Sequence, residues 1–159
     1  MARTEVELIE QTLELLAEAI DDITPQVYDN FFALRPEAAE LFDADSQMNR
    51  GQMLNEVFTC LTEQAAAKGY LDDVFQAHIA DHAGMGVADM GMYQDFLSAL
   101  RSTVAEVLGG DWPQDARVVF EQHCDLMNRK LLAAEQALTG QKMLHLESLK
   151  LRKVTKSDT

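Results

Sequence analysis

The chain has 159 residues, of which 47% are apolar, so it can bury the core of one domain of ordinary size. Its formal net charge of -14 would repel nucleic acid and anionic membrane surfaces, and we expect neither as a partner. No apolar run approaches the roughly 20 residues that cross a bilayer, and the N-terminus carries acids where a secretory signal would be apolar, so we expect a cytoplasmic protein.

Helical periodicity and helix-favouring residues run through the chain, and they predict an all-α fold. Alternation of period two is hard to find, and glycine and proline number only 8 and 3. Thr4 and Glu7 have the spacing of a capping box and open a first helix with one apolar stripe. Pro25 occupies the first turn of a short aromatic second helix, which ends at Arg35 because a proline follows.

Five further helical segments follow in order. The segment PEAAELF makes a brief helical turn that delivers Phe42 to a polar loop. A long helix then runs to Ala67, and a shorter one ends at His82. Two long helices come after the glycine-rich corner, and we expect them to end at Gly109 and at Gly140.

Two cysteines, Cys60 and Cys124, fall inside helical patterns without a CxxC spacing. This arrangement is typical of reduced, buried thiols. We therefore expect neither a disulfide nor a zinc knuckle from this pair.

The charge reverses near the C-terminus. Residues 142–159 hold five Lys or Arg against two acids, a balance of about +3, whereas the preceding 141 residues hold 8 against 25, a balance of -17. We therefore divide the chain into a domain over 1–140 and a basic C-terminal extension over 141–159, partly helical or disordered. The leucines of the extension suit a helix that packs on the body or on a second subunit, so a homodimer is one expectation.

The run VFQAHIADHAGMGV, residues 74–87, places a histidine at the end of an amphipathic segment and before a glycine-rich corner. Neutral imidazole is a common ligand of iron, and haem iron needs such a nitrogen on a rigid element with apolar surface on both sides. Phe75 and Ile79 supply that surface, and Gly84 lets the chain turn away. The pattern favours His82 as a metal ligand, although a histidine near a helix end is also typical of a partly exposed cap.

Several motifs, in this order, resemble those of bacterial globins. They are the YDNFFALRPEAAELF segment, the HAGMGV run, Tyr93 and the LGGDW corner, over about residues 5–138. The most specific parts are the six-residue step from Pro36 to Phe42 and the HAGMGV run. The resemblance implies a globin fold, a three-over-three helical sandwich around haem b.

The resemblance assigns His82 as the proximal ligand of the haem iron and Phe42 as the aromatic side chain against the haem face. Imidazole coordinates iron, and a rigid ring beside the porphyrin fixes its seating and keeps water from the metal. His78 lies one helical turn earlier on the same face and is the competing ligand. We prefer His82 because its spacing to Gly86 and Val87 matches the family.

On the distal side the resemblance implies a tyrosine in the second helix, and Tyr28 falls at that position. A phenol there can donate to iron-bound oxygen, although a core tyrosine is the simpler alternative. For the second distal position we favour Asn49 with Met53, since an amide stabilises partial negative charge on a ligand by about 1 kcal/mol. A shift of helix register gives Arg50 or Gln52 instead.

Val87, Tyr93 and Phe96 complete the haem contacts that we expect. Bacterial flavohaemoglobins pair the proximal histidine with a tyrosine and a glutamate, which raises electron donation to iron and favours oxygen activation. Tyr93 and Glu135 lie near the matching positions, although a helical glutamate is more often solvated on an exposed face.

The expected function is reversible binding of dioxygen or nitric oxide, with carbon monoxide as a further ligand. Nitric oxide dioxygenase activity would need a separate reductase, because nothing in the chain resembles a flavin or nicotinamide domain. One alternative is a globin-fold sensor or adaptor, with or without haem, that signals through a helix-mediated dimer. Another is a zinc protein that uses His78 and His82 with His123 or Cys124.

Overall fold

The computed structural model describes residues 2–42, 47–84, 87 and 89–157, and within these it contains helices and no strand. Two 3-10 segments, Pro36–Leu41 and Gly109–Asp111, follow the second and fifth α-helices. The prediction of an all-α fold is confirmed for the described residues. The α-helices are α1 (Glu5–Ala19), α2 (Thr24–Leu34), α3 (Gln47–Ala65), α4 (Leu71–Gly84), α5 (Gly91–Leu108) and α6 (Gln114–Ser157).

The first helix, α1, begins at the predicted capping box. The Thr4 hydroxyl accepts a hydrogen bond from the Glu7 N–H at 3.2 Å, and the Glu7 carboxylate accepts one from the Thr4 N–H at 3.1 Å. This pair satisfies two donors that the start of a helix leaves free. Further along α1, the buried Thr12 hydroxyl donates to the Leu8 carbonyl and accepts from the Trp112 indole at 3.0 Å. The bond to Trp112 fastens α1 to the turn before α6.

The helices pack pairwise around a shared core. α2 packs along α5, α1 and α4 both pack against α6, and α3 contacts α1, α2, α4 and α6. Burying a large apolar side chain stabilises a fold by about 1.5–3 kcal/mol, so the core is held mainly by such contacts. Fully buried core side chains come from each of the described α-helices, for example Ile9, Val27, Leu61, Phe75, Leu100 and Phe120.

The guanidinium of Arg35 joins the end of α2 to the start of α5. Its Nε donates to Asp95 Oδ2 at 2.8 Å, and its Nη1 donates to Asp89 Oδ2 at 2.6 Å, with a Glu37 oxygen 3.4 Å away. Hydrogen bonds between charged groups are about twice as strong as neutral ones. This cluster therefore holds the 3-10 segment, and with it Phe42, close to α5.

The last helix differs from the sequence prediction. α6 runs through Gly140 to Ser157, 44 residues in all, so the predicted helix end at Gly140 is wrong. One glycine costs a helix interior about 1 kcal/mol, and the helix-favouring residues around it exceed that cost. Gly109, by contrast, has a positive φ of 50° and follows the end of α5 as predicted. The extension over 141–157 is therefore helical, and its described side chains are exposed.

Cys60 and Cys124 are both buried and free, as expected. Burial raises the pKa of the Cys60 thiol to about 11, so the thiol keeps its proton at neutral pH. Within the part of the chain that the structure describes, no helix is both long and apolar enough to cross a membrane.

The turn after α3 contains a residue in an unfavourable backbone conformation. Ala67 has a positive φ of 56°, and the N–H groups of Ala67 and Lys68 donate to the carbonyls of Gln64 and Glu63. A Cβ disfavours this left-handed conformation, so we expect Ala67→Gly to raise the free energy of unfolding by up to about 1 kcal/mol. Urea unfolding followed by circular dichroism measures the change.

Ala66→Gly is the matched control for this prediction. Ala66 is the exposed neighbour, and its N–H still donates to the Thr62 carbonyl in the helical pattern. A glycine there mainly adds freedom to the unfolded chain, and we expect a loss of about 0.5–1 kcal/mol. Equal destabilisation by the two substitutions would show that Ala67 is not strained.

Candidate functional site

An apolar cleft opens into the helical body, and α2 to α6 all contribute to its walls. Its cavity volume is about 160 Å³, below the about 300–1000 Å³ that is typical of ligand pockets. Apolar and aromatic side chains dominate the walls. The lining residues are Phe31, Leu41, Phe42, Met53, Glu56, Val57, Cys60, Phe75, His78, His82, Val87, Met92, Tyr93, Phe96, Leu97, Met127 and Leu131.

His82 stands in the last turn of α4 and lines this cleft. Its Nδ1 lies 2.8 Å from the backbone carbonyl oxygen of His78, one turn earlier. A carbonyl can only accept, so Nδ1 carries the proton and donates it, which leaves a lone pair on Nε2. Burial lowers the pKa of His82, and the ring is therefore neutral near pH 7. A neutral imidazole whose other nitrogen is already hydrogen-bonded is the form that binds a metal.

Two residues that follow α4 in the chain lie against this histidine. The Val87 N–H donates to the His82 carbonyl at 3.0 Å, and the Val87 side chain lines the cleft. The Tyr93 ring stands edge-on to the imidazole, with ring centroids 5.6 Å apart. Burial raises the pKa of Tyr93 to about 12, so its hydroxyl stays protonated. Val87 and Tyr93 thus lie beside His82, while Gly86 falls outside the described residues.

His78, the competing ligand, also lines the cleft, with its ring centroid 6.3 Å from that of His82. Its Nδ1 lies 3.9 Å from Glu56 Oε2 on α3, which is longer than a hydrogen bond. The two histidines therefore differ in how firmly they are oriented. The short hydrogen bond belongs to His82, which favours His82 as the metal ligand.

Phe42 follows the first 3-10 segment and lines the cleft. Its ring centroid lies 5.3 Å from that of Tyr28 and 5.7 Å from that of Phe32. Phe96 on α5 also lines the cleft, and its ring lies 5.6 Å from Tyr28. Tilted aromatic pairs at such separations contribute about 0.5–1.5 kcal/mol beyond their burial. Phe42 and Phe96 are therefore rigid parts of the cleft wall, supported by Tyr28 and Phe32.

Tyr28 itself is fully buried in this aromatic cluster and is not among the side chains that line the cleft. Its hydroxyl oxygen lies 3.3 Å from the Arg50 carbonyl oxygen and 3.9 Å from Met53 Sδ. Burial raises the pKa of Tyr28 to about 12, so the phenol keeps its proton and donates it to the carbonyl. The hydroxyl thus has a partner within the protein, and its role toward a bound gas stays a prediction.

The candidates on α3 for the distal side of the site are Asn49, Arg50, Gln52 and Met53, and those that the structure describes differ in whether they line the cleft. Met53 lines the cleft, as expected for a residue beside a bound ligand. The guanidinium carbon of Arg50 lies between 5.3 and 5.5 Å from the centres of three rings of the aromatic cluster, and Gln52 is exposed. The side chain of Asn49 lies outside the described residues. Of the described α3 candidates, Met53 alone contributes to the cleft wall.

Several lining residues were not identified from the sequence. Cys60, Met92, Met127 and Leu131 belong to this group. Cys60, Met127 and Leu131 lie on apolar helix stripes, and such a stripe predicts burial without saying whether a residue faces a neighbouring helix or a cleft. The packing of α4 against α6 brings Met127 and Leu131 to the wall.

Two polar residues that the sequence analysis considers for the site, Glu135 and His123, are not among the side chains that line the cleft. The Glu135 carboxylate accepts a hydrogen bond at 3.0 Å from the Thr139 hydroxyl on the same helix, and not from Tyr93. His123, which the zinc hypothesis needs beside His78 and His82, instead has Nδ1 2.8 Å from Gln64 Nε2 and Nε2 3.3 Å from a Glu5 oxygen. Among the residues with described positions, no three His, Cys, Asp or Glu side chains are grouped to share a metal ion.

No protein-family model matches the chain, and no curated protein matches its sequence significantly. The resemblance to bacterial globins therefore depends on the sequence motifs alone. The structure brings His82, Phe42, Val87, Tyr93 and Phe96 to the wall of one apolar cleft. The helices establish the all-α class, and the globin fold itself is a matter for proposal.

Proposed function

We propose that this chain is a haem-binding globin that reversibly binds dioxygen or nitric oxide. The observation that carries the proposal is the 2.8 Å hydrogen bond from His82 Nδ1 to the His78 carbonyl, at the wall of an apolar cleft. A haem group needs apolar walls and an oriented, neutral imidazole, and the cleft supplies both.

The residues of the cleft fit a haem group. His82 Nε2 would hold the haem iron, and Phe42 and Phe96 would pack against the porphyrin. Haem iron, when bound, supplies a coordination position at which a diatomic gas can bind. The apolar side chains of the cleft wall, Met53 among them, would keep water away from a bound haem group, which favours a neutral gas over hydroxide or water.

The globin fold is part of the same proposal. It is supported by the chain order of the cleft residues, in which Phe42 precedes Met53 and the histidine of α4 comes later. The packing of α2 along α5, and of α1 and α4 against α6, is compatible with a three-over-three sandwich. The motifs and the apolar cleft beside His82 thus both support this proposal.

Ligand binding is favoured over oxygen activation within this proposal. A hydrogen-bonded glutamate and tyrosine beside the proximal histidine would raise electron donation to iron. The partner of Glu135 is instead Thr139, and burial keeps the Tyr93 hydroxyl neutral. Nitric oxide dioxygenase activity would need a separate reductase to return the iron to its reduced state.

The proposal predicts that His82→Ala loses haem while His78→Ala keeps it. Removing the axial imidazole should weaken haem binding by at least about 100-fold, since even the groups that orient such ligands contribute about 10- to 100-fold. Haem transfer to a competing apoprotein, followed by the visible absorption spectrum, measures the loss.

His78→Ala is the matched control, because it removes the competing side chain but keeps the backbone carbonyl that orients His82. Added imidazole should restore the absorption spectrum of His82→Ala by occupying the vacated space. An unchanged haem spectrum in His82→Ala without imidazole would rule out His82 as the ligand. Loss of haem in His78→Ala alone would assign the iron to His78.

Tyr28→Phe tests what the buried hydroxyl does. The hydrogen bond to the Arg50 carbonyl predicts that the variant loses about 1 kcal/mol of unfolding free energy. Because Tyr28 does not line the cleft, the rate of oxygen dissociation should stay within about twofold of the unmodified protein. Denaturation of the apoprotein and stopped-flow oxygen release give the two values.

The opposite result would support the role that the sequence suggests for Tyr28, which is to donate a hydrogen bond to bound oxygen. A hydrogen bond to bound oxygen, worth about 1 to 1.5 kcal/mol, would make oxygen release roughly five- to tenfold faster in Tyr28→Phe. Carbon monoxide accepts hydrogen bonds more weakly and would change less. Equal changes for both gases would indicate altered access to the cleft.

A further inference from the structure

The start of α5 carries part of the cleft wall but has little burial of its own. Met92, Tyr93 and Phe96 line the cleft. Leu97 is the first buried residue of α5, and the residues before it are half-buried or exposed. Burial of apolar side chains is the main force that fixes a helix within a fold. The start of α5 therefore depends more on polar contacts for its position than the rest of the helix does.

Asp89 supplies the polar contacts at this helix start. Its Oδ1 accepts a hydrogen bond from the Gly91 N–H at 2.8 Å, and its carbonyl accepts one from the Met92 N–H at 3.1 Å. These bonds satisfy two donors that the start of a helix leaves free. The second carboxylate oxygen, Oδ2, lies 2.6 Å from Nη1 of Arg35. One carboxylate thus caps α5 and also connects it to the end of α2.

Arg35 holds α5 at a second point as well. Its Nε donates to Asp95 Oδ2 at 2.8 Å, so its two carboxylate partners lie four residues before Tyr93 and two residues after it. The side chain of Arg35 is only 18% exposed. An exposed ion pair contributes little because its side chains stay mobile, whereas a sheltered guanidinium that bonds two carboxylates has its orientation fixed.

The remaining guanidinium nitrogen, Nη2, approaches the backbone of Gly91. A Cβ at this position would stand 2.5 Å from Nη2 of Arg35 and 3.0 Å from Oδ1 of Asp89. Both distances are shorter than the about 3.5–4.0 Å of an optimal non-bonded contact. A side chain at position 91 would therefore displace the guanidinium, and glycine is what lets Arg35 lie against the first residue of α5.

Tyr93 passes the position of α5 on to the candidate metal ligand. Its ring stands edge-on to the His82 imidazole, with centroids 5.6 Å apart. The hydrogen bond to the His78 carbonyl holds one nitrogen of that imidazole, and the tyrosine ring limits its rotation from another side. Contacts that fix the start of α5 therefore also fix how the imidazole is oriented.

We propose that Arg35 is a positioning residue of the candidate site. Through Asp89 and Asp95 it holds the start of α5 where the Tyr93 ring stands against the His82 imidazole. The consequence for haem rests on the proposed function, whereas the contact between the two rings does not.

The place of Arg35 in the chain extends this role to a second part of the cleft wall. Arg35 ends α2, where its N–H donates to the Phe31 carbonyl at 2.8 Å, and the 3-10 segment that leads to Phe42 follows directly. One side chain thereby links the part of the wall that carries Phe42 to the part that carries Tyr93.

NMR of the full chain as purified, with any bound haem kept in the diamagnetic carbon monoxide form, tests the positioning. The chain has three tyrosines and four histidines, so labelled ring signals can be assigned by substitution. A nuclear Overhauser effect between the Tyr93 and His82 rings should be present in the unmodified protein and lost in Arg35→Gln. Gly91→Ala should also lose it, because the added methyl group displaces the guanidinium while every charge is kept.

Arg101→Gln is the matched control. Arg101 also lies on α5 and pairs with Asp125 of α6 at 2.9 Å, and its side chain is 26% exposed. It therefore joins two helices as Arg35 does, but it lies eight residues beyond Tyr93. Arg101→Gln should keep the nuclear Overhauser effect between the two rings. Urea unfolding of each variant checks that the comparison is made at similar stability.

The rate of haem loss to a competing apoprotein gives the second reading. Arg35→Gln and Gly91→Ala should lose haem about three- to tenfold faster than the unmodified protein. This is less than the about 10- to 100-fold attributed to groups that bond a metal ligand directly, since Arg35 acts through Tyr93. Arg101→Gln should stay within about twofold.

Three outcomes would overturn the proposal. The first is a contact between the Tyr93 and His82 rings that persists in Arg35→Gln, or that is absent from the unmodified protein. The second is loss of that contact in Arg101→Gln as well, which would indicate general loosening of α5. The third is loss of the contact with no change in the rate of haem loss. A chain that binds no haem would overturn the proposed function, and the ring contact would still decide whether Arg35 positions Tyr93.

Discussion

The hydrogen bond between His82 Nδ1 and the His78 carbonyl is the constraint on which the candidate site depends. It is formed within α4, because residues four apart lie one above the other on a helix. The bond fixes the tautomer, and burial keeps the ring neutral, so Nε2 retains a lone pair that can accept a bond. The edge of Tyr93 and the turn at Val87 then limit where the ring can move. A flexible histidine in the same cleft would lose conformational entropy on binding a metal, whereas this one is largely oriented beforehand.

The aromatic wall of the cleft depends on a different kind of support. Phe42 follows a short 3-10 segment, which has few hydrogen bonds of its own to hold it. Two neighbours compensate for this weakness. The Arg35 cluster ties the segment to the start of α5, and the ring of Tyr28 packs against Phe42 from within the core. The Tyr28 hydroxyl in turn bonds to the Arg50 carbonyl, so α2 and α3 share one polar contact beneath an otherwise apolar wall.

The long C-terminal helix, α6, packs against the body in its first half and is exposed in its second half. Its first half buries Phe120, Cys124 and Met127 against the body, and these contacts would stabilise the fold without any partner. Its second half has the opposite charge from the body and exposes its leucines. Because a helix transmits its orientation along its length, the body-facing half determines where the second half points.

The sequence by itself determined the local features. The capping box of Thr4 and Glu7, the proline in the first turn of α2 and the position of His82 near the end of α4 are effects between near neighbours, and each can be seen in the order of residues. Gly140 shows that a local rule can also fail. The helix propensities of the surrounding residues together outweigh the cost of one glycine, so α6 continues through it. The tertiary structure alone decided which apolar residues face the cleft and where the Tyr28 hydroxyl finds its acceptor. Those outcomes depend on how helices distant in sequence cross one another, and an apolar stripe specifies burial without specifying its neighbour.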